Sequence, residues 1–186
     1  MTKLRRLDIQ SNRLTKIENL TTQQETLEEL FLAHNGIDDE GCTWLAQTSF
    51  PNLNVLDLSK NRLTSTAQFS HLEGLEELWL SSNQIETFDA IIPLKEAPSL
   101  RIETIYLEYN PIASEFEYRK RLAEWVPSLT QIDATLIGGL GAQGLSHHQV
   151  ATALPIQEQM RRLQEAAIQR AKQETEAATR QQQSQF

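Results

Sequence analysis

Residues 75–85, LEELWLSSNQI, decide the fold of this chain. The leucines of this stretch are spaced as in a short strand that is buried on one side, because successive side chains of a strand point to opposite faces. If Leu78 and Leu80 point into a core, then Trp79 between them points away from it. The stretch therefore predicts a strand with one apolar face and a tryptophan on the other.

The same pattern, L-x-x-L-x-L-x-x-N-x-L with isoleucine allowed in place of leucine, occurs five times. Its asparagines, Asn12, Asn35, Asn61, Asn83 and Asn110, are 22 to 27 residues apart and are expected to turn inward and satisfy backbone groups. Repeats of this period indicate a solenoid, because one repeat cannot bury its apolar side alone. The predicted fold class is α/β, a leucine-rich-repeat solenoid with short parallel concave strands.

A terminal cap is predicted in residues 114–137, after five repeats in residues 1–113. Tyr118, Leu122 and Val126 are four residues apart, so they share one face of a helix that covers the core of the last repeat. The run Arg119-Lys120-Arg121 on this helix is expected to be a solvated face.

Residues 138–186 form a different kind of segment. We predict a glycine-rich linker followed by a helical, glutamine-rich tail, with the alternative that this tail is solvated or disordered. The first repeat begins almost at the initiator methionine and has no comparable cap. An uncapped array edge favours aggregation, so we expect an array shortened at its N-terminus or an edge that is covered.

The amino-acid composition of the chain argues against several classes of function. Residues 1–137 contain 12 Lys+Arg and 21 Asp+Glu, a net charge of −9, which argues against direct nucleic-acid binding. Cys42 is the single cysteine, and we expect it to be buried on the convex side rather than to ligate a metal. No apolar run reaches the roughly 18 residues of a membrane span, and no signal peptide is recognised. A nuclear or cytoplasmic protein is expected.

No arrangement of residues predicts catalysis. His147 and His148 are adjacent, so on a helix they point in different directions and do not form a ligand pair. The glycines of residues 138–141 do not follow the strand-to-helix pattern of a nucleotide site. We predict no catalytic residue, no metal site and no cofactor, and weigh an enzyme only as a third class of function.

The concave face is the predicted functional surface. Neighbouring strands lie about 4.8 Å apart, so the outward residue between the two core leucines of each repeat forms a file about 20 Å long. Three members of this file are aromatic and two are acidic, which indicates anchors for a protein partner that carries Lys or Arg. The alternative is that the aromatic residues only pack on each other across strands. The candidate binding residues are Asp8, Glu29, Phe31, Asp57, Glu77, Trp79 and Tyr106.

Residues 3–137 also resemble a known family. The stretches LEELFLAHNGI, LNVLDLSKNRL, LEELWLSSNQI and IETIYLEYNPIASEFEYRKRLAEWVPSLTQIDATLI are similar to the leucine-rich-repeat regulatory subunit of protein phosphatase 1. The resemblance implies a non-catalytic nuclear and cytoplasmic regulator whose concave face binds the phosphatase catalytic subunit and modulates its activity, assembly or targeting. It further implies contacts by Asp57, Glu77, Trp79 and Tyr106. The family has roughly twice as many repeats, and only its C-terminal portion is matched.

A second class of function stays open. Short capped arrays of this kind also serve as scaffolds for a spliceosomal RNA-binding protein or for a cytoskeletal complex. The negative charge of residues 1–137 argues against direct RNA contact. It does not argue against binding a protein that itself binds RNA.

Overall fold

The computed structural model describes residues 4–137. These residues form one sheet whose strands follow each other in chain order. The first six strands are parallel and the last pair is antiparallel. The strands are β1 (Arg6–Asp8), β2 (Glu29–Phe31), β3 (Val55–Asp57), β4 (Glu77–Trp79), β5 (Thr104–Tyr106), β6 (Gln131–Ile132) and β7 (Thr135–Leu136). The predicted solenoid fold with short parallel strands is confirmed.

Helical segments lie between the strands on the convex side. The α-helices are α1 (Thr43–Ala46), α2 (Ile92–Lys95) and α3 (Tyr118–Trp125). The 3₁₀ segments are Thr21–Gln23, Glu40–Cys42, Ala67–Phe69, Phe88–Ile91 and Pro111–Ser114. Because each repeat closes its convex side with a different segment, this side is irregular while the strand side is regular.

The leucine positions of the repeats build the core. Leu56, Leu78 and Ile105 are fully buried and lie side by side in adjacent strands. Phe50 and Phe69, from the convex connections, pack into the same core. Burying a side chain of this size contributes about 1.5–3 kcal/mol, and here each one is covered by the next repeat.

The repeat asparagines join neighbouring repeats by hydrogen bonds. Asn61 is buried, and its Nδ2 donates to the carbonyl oxygens of Leu58 and Leu32 at 3.0 Å each. Its Oδ1 accepts the backbone N–H of Ile37 at 3.0 Å. The residue before this asparagine, Lys60, has a positive φ of 55°, and the same position is left-handed in all five repeats. The predicted inward asparagine is confirmed for the buried Asn61, Asn83 and Asn110, whereas Asn12 of the first repeat is exposed.

The cap closes the end of the array. Tyr118, Leu122 and Val126 are all buried, as their spacing predicts. Strand β7, which the sequence did not indicate, turns back on β6. Between these strands the Asp133 carboxylate accepts the N–H groups of Leu107 and residue 108, at 2.8 and 3.0 Å. The cap thus satisfies backbone donors at the end of β5.

The basic run on α3 is not simply a solvated face, and that prediction was wrong for two of its three residues. Arg119 Nη1 donates to the carbonyl oxygen of Ile132 at 2.8 Å. The Arg121 guanidinium lies 3.8 Å from the centroid of the Phe88 ring. Only Lys120 follows the expectation, with an exposed side chain paired to a nearby glutamate. Arg119 thus contacts the cap strands, and Arg121 contacts the convex segment that follows β4.

Cys42 is fully buried at the end of a convex 3₁₀ segment, as predicted. Burial, together with the charges of Asp39 and Asp38, raises the pKa of its thiol to about 12. The thiol is therefore protonated at neutral pH, and a protonated thiol is not a nucleophile.

Predictions for residues 138–186 lie outside the described residues. At the other end, Leu4 is 39% exposed, and β1 pairs with β2 alone within residues 4–137.

Candidate partner-binding face

The strand register brings the predicted residues together on one face. The pairing joins Asp8 to Phe31, Phe31 to Asp57, Asp57 to Trp79 and Trp79 to Tyr106. These five residues therefore form the lateral file that the repeat spacing predicts. We call this file the concave stripe. A parallel file runs beside it and consists of Arg6, Glu29, Val55, Glu77, Thr104 and Gln131.

The aromatic members of the stripe pack on one another. Trp79 and Tyr106 meet edge to face, with ring centroids 5.5 Å apart and an interplanar angle of 67°. Trp79 also meets Phe31 edge to face, with centroids 6.1 Å apart. Edge-to-face geometry is favourable for aromatic rings beyond the area it buries. The three rings are therefore held as one rigid cluster with Trp79 at its centre.

Two members of the stripe are less exposed than the sequence predicts. Phe31 is only 8% exposed and Asp57 only 4% exposed. The register does place both on the concave side, but a strand register says nothing of what covers a side chain laterally. Trp79 and Tyr106 are partly exposed, so they form the accessible aromatic surface.

Asp57 is a buried carboxylate with one strong local contact. Its Oδ1 accepts the backbone N–H of Ser59 at 2.9 Å. Burial raises the pKa of this carboxyl above its ordinary value, the hydrogen bonds from Ser59 act in the opposite direction, and the charge of Asp8 adds to the rise. The buried negative charge of Asp57 therefore lowers the stability of the folded state.

We expect Asp57→Asn to stabilise the fold at pH 7. The amide oxygen can still accept from Ser59, and the charge that burial disfavours is removed. A raised folded-state pKa destabilises the wild type above that pKa, so the advantage of the variant should shrink as the pH falls toward about 4, the ordinary value for aspartate. Urea unfolding at several pH values measures this.

Asp8→Asn serves as the matched control, because Asp8 is exposed on the same stripe. It should change stability little at any pH. If Asp57→Asn is less stable than the wild type at pH 7, the hydrogen-bonded charge is stabilising and this account of Asp57 is wrong.

Hydrogen bonds orient the partly exposed members. Trp79 Nε1 donates to Glu77 Oε2 at 3.1 Å, which holds this carboxylate beside the indole. The Gln131 side chain of the cap donates to the Tyr106 hydroxyl at 2.7 Å. Burial is the main cause of a raised pKa at Tyr106. Gln131 was not among the predicted residues, because its contact with Tyr106 depends on how the cap folds back.

Arg6 is the second residue that sequence reasoning missed. Its guanidinium lies 4.3 Å from the centroid of the Phe31 ring. Its Nη1 donates to Glu29 Oε2 at 2.6 Å, and its Nη2 lies 4.0 Å from Asp8 Oδ2. This arginine explains why Phe31 is buried, and it neutralises part of the acidic charge at this end of the stripe.

Outside the concave stripe, the described residues show an open pocket but no cluster of metal ligands. Within residues 4–137 no group of three or more His, Cys, Asp or Glu side chains is placed to hold a metal ion. No helix in this part of the chain is long and apolar enough to cross a membrane. One open pocket of about 380 Å³ lies between convex segments and is lined by Ser70, His71, Pro93, Glu96 and Ala97.

Comparison with known proteins finds two matching family profiles. The profile described as Leucine Rich repeats (2 copies) matches residues 51–95, and the profile described as Leucine Rich repeat matches residues 23–46. Both ranges lie inside residues 1–113, where the sequence predicts five repeats.

Similar proteins carry names from two kinds of assembly. The chain is 36% identical over 121 residues to the Candida glabrata protein named U2 small nuclear ribonucleoprotein A′, covering 61% of this chain and 45% of that protein. It is 40% identical over 85 residues to the Arabidopsis thaliana protein named Protein phosphatase 1 regulatory inhibitor subunit PPP1R7 homolog, covering 46% of this chain and 25% of that protein. The predicted resemblance to protein phosphatase 1 regulatory subunits is confirmed. The chain spans less than half the length of either relative.

A solved structure supports the fold. The crystal structure of the Drosophila melanogaster SNF/U2A′ complex matches with a TM-score of 0.58 and 24% identity, covering 71% of this chain and 74% of that one. At this level of identity the likeness concerns the fold alone.

Proposed function

We propose that this chain, whose repeats match leucine-rich-repeat profiles, is a non-catalytic regulatory subunit that binds the catalytic subunit of protein phosphatase 1. Binding takes place through the concave stripe, and it modulates the activity, assembly or targeting of the phosphatase. The proposed location is the nucleus and cytoplasm.

The observation that carries this proposal is the rigid cluster around Trp79. Binding hot spots are enriched in tryptophan and tyrosine that sit near the centre of an interface. Trp79 and Tyr106 are partly exposed, are fixed by edge-to-face packing and need no reordering to meet a partner. Because association costs side-chain ordering, a pre-organised cluster of this kind favours tight binding.

Charge supports a basic partner surface. Glu77 lies beside Trp79, and Glu108 follows Tyr106 on the same side of the sheet. Burial, with a contribution from the charge of Asp133, raises the pKa of Glu108 above its ordinary value. A lysine or arginine of a partner placed here would relieve this penalty and add directed hydrogen bonds.

The named relatives give partial support to the phosphatase catalytic subunit as the partner. The Arabidopsis protein is 40% identical where it aligns and is named as a regulatory inhibitor subunit of protein phosphatase 1. Since the aligned region covers only 25% of that protein, contacts outside this region are not carried over to this chain.

A second candidate function is a scaffold for an RNA-binding protein of the spliceosome. It is favoured by the 36% identity to the Candida glabrata protein named U2 small nuclear ribonucleoprotein A′. The two candidates use the same concave surface and differ in the partner.

A pairwise binding experiment separates the two candidates. We expect the purified chain to bind the protein phosphatase 1 catalytic subunit in biolayer interferometry, and to bind SNF, the protein crystallised with U2A′, much more weakly. Binding to SNF with the phosphatase subunit left unbound would reject the first proposal in favour of the second. Binding to neither protein would reject both.

A further inference from the structure

The concave face already holds one guanidinium group. Arg6 lies over the Phe31 ring at 4.3 Å from its centroid and pairs with Glu29 at 2.6 Å. A carboxylate beside an aromatic face is a favourable site for a guanidinium, which combines charge pairing with a cation–π contact. We call Glu29 and Phe31 the first subsite. The ligand of this subsite is the guanidinium of Arg6, which belongs to the same chain.

The repeat symmetry creates a second subsite from Glu77 and Trp79. These residues occupy the same two pattern positions as Glu29 and Phe31, two repeats further along. Trp79 Nε1 fixes the Glu77 carboxylate at 3.1 Å, so this subsite is also pre-organised. Tryptophan is the strongest cation–π partner among the aromatic residues.

The two subsites differ in the residue that precedes them in the sheet. Arg6 is the register partner of Glu29 on the N-terminal side, whereas Val55 is the register partner of Glu77 on that side. Val55 has neither the reach nor the charge to fill the second subsite. Within residues 4–137 no lysine or arginine lies within ion-pair distance of Glu77.

We propose that Arg6 acts as an internal ligand that closes the first subsite, so that a partner arginine or lysine enters only the second subsite at Glu77 and Trp79. This inference rests on the proposed function for the identity of the partner. Arg6 thereby restricts docking to the C-terminal part of the concave stripe, where the aromatic surface is open. Arginine fits best, because the group observed in the first subsite is a guanidinium.

The test is to supply the second subsite with its own internal arginine. In Val55→Arg the new side chain is the register partner of Glu77, just as Arg6 is the register partner of Glu29. Its guanidinium should therefore occupy the second subsite. We expect this variant to bind the phosphatase catalytic subunit at least about tenfold more weakly than the wild type. Val55→Gln, which is long but neutral, should stay within about twofold of the wild type.

Equal binding by Val55→Arg and the wild type would overturn the proposal. An equal loss in Val55→Arg and Val55→Gln would overturn it too, because the effect would then come from size rather than from charge. Thermal melts of the variants show whether each one is folded.

A second readout does not depend on the phosphatase. Titration of the chain with N-acetyl-arginine amide should shift the indole N–H resonance of Trp79, assigned with Trp79→Phe, in nitrogen–proton spectra. The neutral isostere N-acetyl-citrulline amide at the same ionic strength should not shift it, and Val55→Arg should not respond to either probe. If the wild type ignores both probes, the second subsite is not a guanidinium site. If it responds but the phosphatase does not bind, only the proposed function fails.

Discussion

Asn61→Ala is expected to lower the free energy of unfolding by about 2 kcal/mol, because it leaves the buried N–H of Ile37 without a partner and removes two hydrogen bonds to buried carbonyl oxygens. These carbonyl oxygens, of Leu32 and Leu58, each keep one hydrogen bond, from the side chains of Asn35 and Asn83. Within residues 4–137 no other side chain accepts the N–H of Ile37, and Asn61 is only 8% exposed, so water does not replace this bond. Urea unfolding followed by circular dichroism measures the loss.

The chain contains its own control for this substitution. Asn12 has the same place in the first repeat but is exposed, and its Nδ2 donates to the carbonyl oxygens of Ile9 and Gln10 at 2.9 and 3.0 Å. Water can replace both bonds, so Asn12→Ala should cost less than about 1 kcal/mol. Similar losses at Asn12 and Asn61 would contradict the role assigned to the buried asparagines.

Trp79→Ala is expected to weaken binding of the phosphatase catalytic subunit by at least about 1.4 kcal/mol, which is roughly tenfold. The change removes the central ring of the cluster, so Phe31 and Tyr106 lose their edge-to-face contacts. It also removes the donor that holds the Glu77 carboxylate in place. Biolayer interferometry with the immobilised chain gives the change in dissociation constant.

Phe116→Ala is the matched control for this substitution. Phe116 is 86% exposed and lies outside the concave stripe, just before α3. Loss of this side chain should leave binding within about twofold of the wild type. A larger loss at Phe116 than at Trp79 would place the interface near the cap instead of on the concave stripe.

The sequence was sufficient to predict the backbone arrangement of the repeats. Fixed spacing of leucine and asparagine is imposed by the geometry of a stacked repeat, so Leu78 in the core and Asn61 between repeats follow directly from the pattern. The cap helix followed for the same reason, since Tyr118 and Leu122 share one helical face.

Side-chain contacts between neighbouring repeats could not be predicted from the repeat pattern. Arg6 and Phe31 are 25 positions apart in the chain, and the repeat rule says which strands pair but not which rotamer a long side chain adopts. The burial of Phe31 was therefore missed. Gln131 was missed because the cap lies outside the repeat pattern, so its contact with Tyr106 depends on the fold of the cap.

The site was predicted as seven residues, which lie in two neighbouring files, and these residues do not all offer the same surface. Phe31 and Asp57 are buried, which leaves Trp79, Tyr106 and Glu77 as the residues most available to a partner. Their role in binding stays a prediction.

The most direct test of the central claim is the dissociation constant of the phosphatase catalytic subunit, measured by isothermal titration calorimetry for the wild type and for Trp79→Ala/Tyr106→Ala. If the concave stripe is the interface, the double variant should bind at least about 30-fold more weakly, which is about 2 kcal/mol, while it keeps the melting temperature of a folded array. A double variant that is folded and binds within about twofold of the wild type would contradict the claim.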